Sequence, residues 1–201
     1  MKIGIFGGTF NPIHLGHTNA IGEAKKHFCL DKVIIIPVAQ SPLKTDKPMK
    51  DSDRVEMIKR ATKYLDFVDI DRLELDRSGV SFTYDTIVEL KSKYPGDELF
   101  FIMGEDQYDS FDRWYRYDDL LDLITFIVLR RNGSTKQIEA PFIAKNTSVF
   151  EVSSSEIRKR INQNEQYSHL INDHVYAYIK EHNLYEEKWS NQSSKRETSW
   201  P

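Results

Sequence analysis

The sequence predicts an α/β fold, a doubly wound parallel sheet with a small C-terminal helical portion. Two observations carry that expectation: short runs rich in Ile, Val, Leu and Phe alternate with stretches of helical period, and 201 residues suit one core. The strand-like runs are Lys2 to Phe6, Lys32 to Val38, Phe67 to Leu75, Leu99 to Met103 and Thr125 to Leu129. Between them, His17 to Phe28 places Ala20, Ile21, Ala24 and Phe28 on one face. Asp51 to Leu65 does the same with Val55, Ile58 and Leu65, and Thr83 to Tyr94 with Ile87, Leu90 and Tyr94. After Leu129 the pattern loosens through Arg130-Arg131-Asn132-Gly133, and Ser153 to Ile161 and Asp173 to His182 then read as two helices. Residues 1–186 are expected to form a single domain, and residues 187–201, polar and aperiodic despite Trp189 and Trp200, a disordered tail. Sheets of this kind take their ligands beyond the carboxyl ends of the strands, where the strand order reverses.

Composition narrows the function classes. Lys plus Arg total 28 against 31 Asp plus Glu, so no global basic field exists to hold nucleic acid, whereas a small phosphate ligand needs only local charge. Met1 opens directly into a strand, with no basic-then-apolar leader and no apolar run of bilayer-spanning length, which predicts a cytoplasmic protein without a membrane partner. A homo-oligomer is compatible with this composition. Cys29 is the only cysteine, which excludes an internal disulfide and a cysteine zinc site; it reads as a buried helix-end residue without chemistry.

The stretch Gly7-Gly8-Thr9-Phe10-Asn11-Pro12-Ile13-His14-Leu15-Gly16-His17 follows the first strand and reads as a nucleotide-phosphate site. Gly7 and Gly8 lack a Cβ, so the backbone is free to adopt unusual dihedrals and aim N–H groups outward as an anion nest. The helix that follows adds its positive end. His14 and His17 are three apart and share a face once the helix has begun, so both imidazoles reach one phosphate, and Gly16 removes the side chain that would block it. A zinc reading is weaker, because no third ligand sits at suitable spacing.

A second constellation is Ser153-Ser154-Ser155-Glu156, a capping box with Ser153 as N-cap and Glu156 reaching back to its backbone N–H. That bland reading is compatible with a functional one. Ser154 and Ser155 then occupy the first helical positions with free N–H groups, and Arg158, one turn on, adds a fixed charge, so that together they hold the outer phosphates of a nucleotide.

The first stretch matches, residue by residue, the G-G-T-F-N-P-I-H-x-G-H signature of the nucleotidylyltransferase superfamily, and Val152 to Arg158 resembles its I-S-S-T-x-I-R motif, with Val for Ile and Ser for Thr. Ser81-Phe82-Thr83-Tyr84-Asp85-Thr86, Gly104-Glu105-Asp106 and Trp114-Tyr115 resemble elements of the bacterial nicotinate-nucleotide adenylyltransferases. The resemblance covers roughly residues 1 to 186 and departs at Arg113, where Lys is common, and at Glu105, where a small residue is commoner.

The resemblance implies a Rossmann-like sheet and transfer of the adenylyl group of ATP to nicotinate mononucleotide, by in-line attack without a covalent intermediate. Products are deamido-NAD and pyrophosphate, in NAD biosynthesis. Mg²⁺ is expected on the ATP phosphates rather than in a protein cage. His14, His17 and Lys44 are the implied catalytic residues, Lys44 and His14 bridging the phosphates of both substrates. Gly7, Gly8, Thr9, Phe10 and Gly16 contact ATP from the first motif. Ser154, Ser155, Arg158 and Arg131 contact it from later in the chain, and Asp106 accepts from ribose hydroxyls. Arg130 reads as a solvent residue. Ser81, Thr83, Tyr84, Asp85 and Gly104 fall to the mononucleotide, with Thr83 capping a helix whose N–H groups favour a carboxylate over a neutral amide. Trp114, beside Tyr115, stacks on the cationic pyridine ring or serves as a core or rim tryptophan. Competing readings are a superfamily member using nicotinamide mononucleotide, phosphopantetheine or a cytidylyl group, and a sensor or scaffold that binds ATP without reacting.

Overall fold

The period-2 alternation of the strands sorts their side chains onto two apolar faces. Ile3 and Ile5 join Ile34, Ile36, Phe101, Met103, Phe126 and Val128 in one cluster; Phe6 joins Val33, Ile35, Ile102, Ile127 and Leu129 in the other. A sheet apolar on both sides must be covered on both sides, which is the parallel, doubly wound solution. The computed structural model describes residues 1–39, 49–77, 80–131, 133–148 and 150–186. The strands are β1 (Lys2–Gly8), β2 (Lys32–Pro37), β3 (Val68–Ile70), β4 (Glu98–Gly104), β5 (Thr125–Arg130) and β6 (Ile143–Asn146). They form one sheet in the order β3-β2-β1-β4-β5-β6, every ladder parallel. This is a Rossmann-like arrangement, and its order reverses between β1 and β4.

Helices α1 (Leu15–Phe28) and α2 (Asp51–Thr62) cover the face of Phe6 and Val33 with Ala20, Ile21, Ala24, Met57 and Ile58. On the other face lie α4 (Thr83–Lys93) and α6 (Tyr117–Leu123), through Ile87, Leu90 and Leu120, after the single turn α3 (Leu73–Asp76); the turn α5 (Glu105–Tyr108) follows β4. Returning to the first face, α7 (Ser154–Asn162) and α8 (Asp173–Glu181) contribute Ile157, Ile161, Val175 and Ile179. Among the described residues no helix is long and apolar enough to cross a membrane.

Several expectations need correcting. The strand expected from Phe67 to Leu75 stops at Ile70, because the Asp71 carboxylate accepts the Leu73 N–H at 3.1 Å and turns the chain into α3. β6 was not anticipated; as an edge strand with Ile143 exposed it shows no apolar run. Cys29 is exposed rather than buried: it ends α1 in the left-handed region (φ 51°), and Leu30 takes the buried place beyond it. Phe82, not Thr83, occupies the cap position of α4, with no side-chain capping bond, so the first-turn amides keep their donors. Arg130 is partly buried, its Nη1 donating to the Lys136 carbonyl at 3.0 Å.

Candidate active site

β1 runs two residues beyond its expected end, so Gly7 and Gly8 are strand residues paired with Ile36 and Pro37. Their value is not an unusual dihedral, since neither has positive φ. The left-handed residue of the loop is Phe10, at φ 47°. Space is what Gly8 supplies, because a Cβ there would lie 2.8 Å from the tip of the Phe10 ring, itself buried. Gly8→Ala is therefore expected to destabilise the protein by about 1–3 kcal/mol through overpacking. Urea denaturation checks this, and an unchanged midpoint would contradict it.

α1 begins at Leu15, two residues before the expected start, and His14 is its N-cap with extended backbone. The His14 backbone N–H donates to His17 Nδ1 at 3.2 Å, and the two rings stack with centroids 3.6 Å apart. With Nδ1 an acceptor, the hydrogen-bond network assigns the His17 proton to Nε2, leaving that nitrogen a donor. Edges of Phe10 (5.0 Å between centroids) and Phe6 (6.1 Å) hold the His17 ring from the side. A Cβ on Gly16 would lie 2.9 Å from the Phe150 carbonyl and 3.1 Å from His14 Nδ1, so only glycine allows that packing.

Burial lowers the His14 pKa to about 4, so the ring is neutral near pH 7. The unfolded chain binds this proton near pH 6.5, the folded one only near 4. The stabilisation is complete above the unfolded value and is lost as pH falls through that window, by about 3 kcal/mol at pH 4. Urea unfolding from pH 7 down to pH 4 should show the native chain losing about 3 kcal/mol more than His14→Asn; parallel pH slopes would count against it.

The serine helix comes to the same place. Ser153 Oγ accepts the Glu156 N–H at 3.1 Å as a cap should, although Glu156 turns to Arg160 (2.8 Å) instead of completing the box. Ser154 and Ser155 are the first residues of α7. Ser154 Oγ donates to the Pro12 carbonyl at 2.9 Å, and Arg158 donates to the Asn11 carbonyl at 2.8 Å through Nη1 and to Ser155 Oγ at 3.4 Å through Nη2.

Between the carboxyl ends of β1, β4 and β5 lies a crevice of about 560 Å³. Phe6, Ala20, Met103, Leu129 and Leu170 give it an apolar lining; His14, His17, Asp106, Arg131 and Ser153 are among its polar groups, and Glu105, Glu151, Glu156 and Arg160 line it as well. An apolar wall with a small number of placed polar groups is the make-up of a small-molecule pocket. Arg131 pairs with Asp106 (3.2 Å) and Glu151 (3.7 Å); Glu105 accepts the Ser134 hydroxyl and the Arg131 N–H (3.5 Å). Glu105, which departs from the expected small residue, thus ties down the loop after β5.

The residues expected on the mononucleotide are not in this crevice, Gly104 excepted. Most gather on the other face of the sheet. Trp114 packs edge-on against Phe101 (5.6 Å) and, tilted, on Phe111 (5.4 Å), while Tyr115 leans on Phe82 (4.7 Å) and Tyr84 (6.2 Å), and Arg116 covers the Tyr84 ring (4.0 Å). Asp85 is exposed. Ser81 is buried at the entry to α4, its Oγ without a partner among the described residues. Thr86 donates to Glu74 (2.8 Å), whose pKa burial raises. Lys44 and the 187–201 tail lie outside the described residues.

Asn11, Tyr185 and Arg54 join the site without having been singled out in the sequence. Asn11 Oδ1 accepts the Tyr185 hydroxyl (2.9 Å) and the Met49 N–H (3.3 Å), and Arg54, with 0% exposure, donates to the carbonyls of Thr9, Val38 and Met49. A signal for Arg54 existed: it sits four residues before Ile58 on the apolar stripe of α2, where a charge must find buried partners.

The family model described as cytidylyltransferase-like matches residues 5–160. Nicotinate-nucleotide adenylyltransferase of Bacillus subtilis (strain 168) is 40% identical over 186 residues, covering 92% of this chain and 98% of the relative. Two solved structures of Plasmodium falciparum nicotinic acid mononucleotide adenylyltransferase share the fold at 21% identity. The one complexed with NaAD has a TM-score of 0.79 and the one complexed with APC 0.77, each covering 92% of this chain and 97% and 96% of its own. A near-full-length relative and a family model spanning both motifs agree with the site: the chain belongs to the cytidylyltransferase-like nucleotidyltransferases, and among them to the nicotinate-nucleotide adenylyltransferases.

Proposed function

We propose that this chain joins ATP to nicotinate mononucleotide, releasing pyrophosphate and forming deamido-NAD, with roles for its residues that follow from their chemistry. The observation that carries this reading is the meeting of the two motifs, where Ser154 and Arg158 bond the carbonyls of Pro12 and Asn11 beside His14 and His17.

The 5′-phosphate of the mononucleotide attacks the α-phosphorus of ATP in line, and the bond from that phosphorus to the bridging oxygen of the leaving pyrophosphate breaks. A phosphate monoester is already ionised near neutral pH, so neither a protein nucleophile nor a general base is needed. Catalysis reduces to alignment and to stabilising charge that grows on the phosphoryl oxygens. His17 Nε2–H and the Phe10 amide serve the α-phosphate. The first amides of α7 and the Arg158 guanidinium serve the leaving pyrophosphate. His14, as a neutral donor, and Lys44 bridge the two substrates' phosphates. Asp106 accepts from ribose hydroxyls, and Arg131 lies against ATP.

The cation is part of the substrate. Among the described residues no group of three His, Cys, Asp or Glu is disposed for a metal, and Asp106, Glu151 and Glu156 face guanidinium partners. Such a donor set suits Mg²⁺ carried on triphosphate oxygens with several waters retained.

On the opposite face, the uncapped first turn of α4 offers N–H donors that favour a carboxylate, and Trp114 supplies an indole for the pyridinium ring. Pyrophosphate release by the purified protein, assayed with nicotinate and nicotinamide mononucleotides, phosphopantetheine and CTP-dependent substrates, tests the choice. Nicotinate mononucleotide should turn over fastest. Faster turnover of the amide would reassign the substrate, and ATP binding without any product would make the chain a sensor.

A further inference from the structure

Phe10 holds a backbone conformation (φ 47°) that a bulky L-residue reaches only at a cost, so something must over-determine the peptide before it. Arg54 meets that requirement. Its Nη1 donates to the Thr9 carbonyl at 2.7 Å and to the Val38 carbonyl at 2.8 Å, its Nε to the Met49 carbonyl at 3.2 Å, and its Nη2 to Asp51 at 2.6 Å. A guanidinium with no exposed surface and this many partners is costly to install and fixed once installed.

The Thr9 carbonyl and the Phe10 N–H belong to one planar trans peptide, whose C=O and N–H point in opposite directions. Drawing the carbonyl toward α2 therefore turns the N–H away from α2. A charge-assisted bond on the oxygen also polarises the amide and makes its N–H a stronger donor. Among the described residues the Phe10 N–H has no backbone carbonyl acceptor. The next carbonyls are held from outside in the same way, Asn11 by Arg158 and Pro12 by Ser154.

We infer that Arg54 is a positioning residue for phosphoryl transfer: by holding the Thr9 carbonyl it aims and strengthens the Phe10 amide toward the transferred phosphate. This rests on the proposed role of that amide, and it adds a residue that touches neither substrate.

The test is steady-state kinetics of Arg54→Lys, which keeps the charge but loses the planar fork, with Arg54→Gln beside it. Rates are normalised to the folded fraction measured by circular dichroism. A misaimed transition-state donor should lower kcat about a hundredfold while KM for both substrates moves less than about threefold. A purely structural role would lower the melting temperature but leave kcat per folded molecule at the native value, and that outcome overturns the inference. Should neither variant fold, the native protein labelled with ¹⁵N-phenylalanine is titrated with MgATP. The Phe10 amide resonance must then shift; an unmoved resonance at saturation overturns the inference too. Failure of the native enzyme to form dinucleotide would refute the reaction assigned above, while the titration would still report where the Phe10 amide points.

Discussion

His17→Ala should lower kcat by about a hundredfold to a thousandfold, some 2.7–4 kcal/mol of barrier, which is what one preorganised donor to a developing oxyanion contributes. The surroundings of the ring explain why so much is expected of one imidazole. Its Nδ1 is occupied by the His14 backbone N–H, its face by the His14 ring and its edges by Phe6 and Phe10. These contacts fix the orientation of the ring before substrate arrives. Because charge on the α-phosphoryl oxygens grows in the transition state, kcat should fall while KM for MgATP changes little. His17→Asn, which keeps an N–H donor on a shorter arm, should recover part of the loss. Turnover near the native value in the purified alanine variant would remove His17 from the mechanism; a raised KM at constant kcat would make it a ground-state contact.

Whatever rests on local pattern was legible in the sequence. Apolar runs marked β1, β2, β4 and β5, helical period set α1, α2, α4, α7 and α8 to within a few residues, and Ser153 announced its own cap. The two motifs stood out because each pairs small residues with donors after a turn, and the fold brings them together. What stayed hidden depends on partners distant in the chain. Glycines in β1 suggested odd dihedrals, yet only the folded Phe10 ring shows that Gly8 is there for space, 2.8 Å from where a Cβ would be. The motif left the charge of His14 open, and it is burial in the folded chain that makes the ring neutral. The place of Arg54 on the apolar stripe of α2 says that it must find buried partners but not which, because its acceptors lie before, at and beyond the end of β2. The single-turn helices α3 and α5 and the edge strand β6 are too short to show a period at all.

Phe10→Ala should cost about 3–5 kcal/mol of stability, the range for emptying a fully buried aromatic site. The ring is 1% exposed and packs on Phe6 at 5.8 Å, on His17 at 5.0 Å and over Gly8. Alanine is as ill-suited to φ 47° as phenylalanine, so the change measures the lost ring rather than relief of the backbone. Activity per folded molecule should fall as well, since His17 loses one of the edges that hold it. The decisive measurement is a double-mutant cycle with Gly8→Ala. Once the Phe10 ring is gone, the methyl added at position 8 has nothing to strike and fills part of the cavity, so the second substitution should be nearly neutral or stabilising. Additive losses in urea unfolding would mean that Gly8 answers to some constraint other than the Phe10 ring, and that the wedge joining the core to His17 is not the one described.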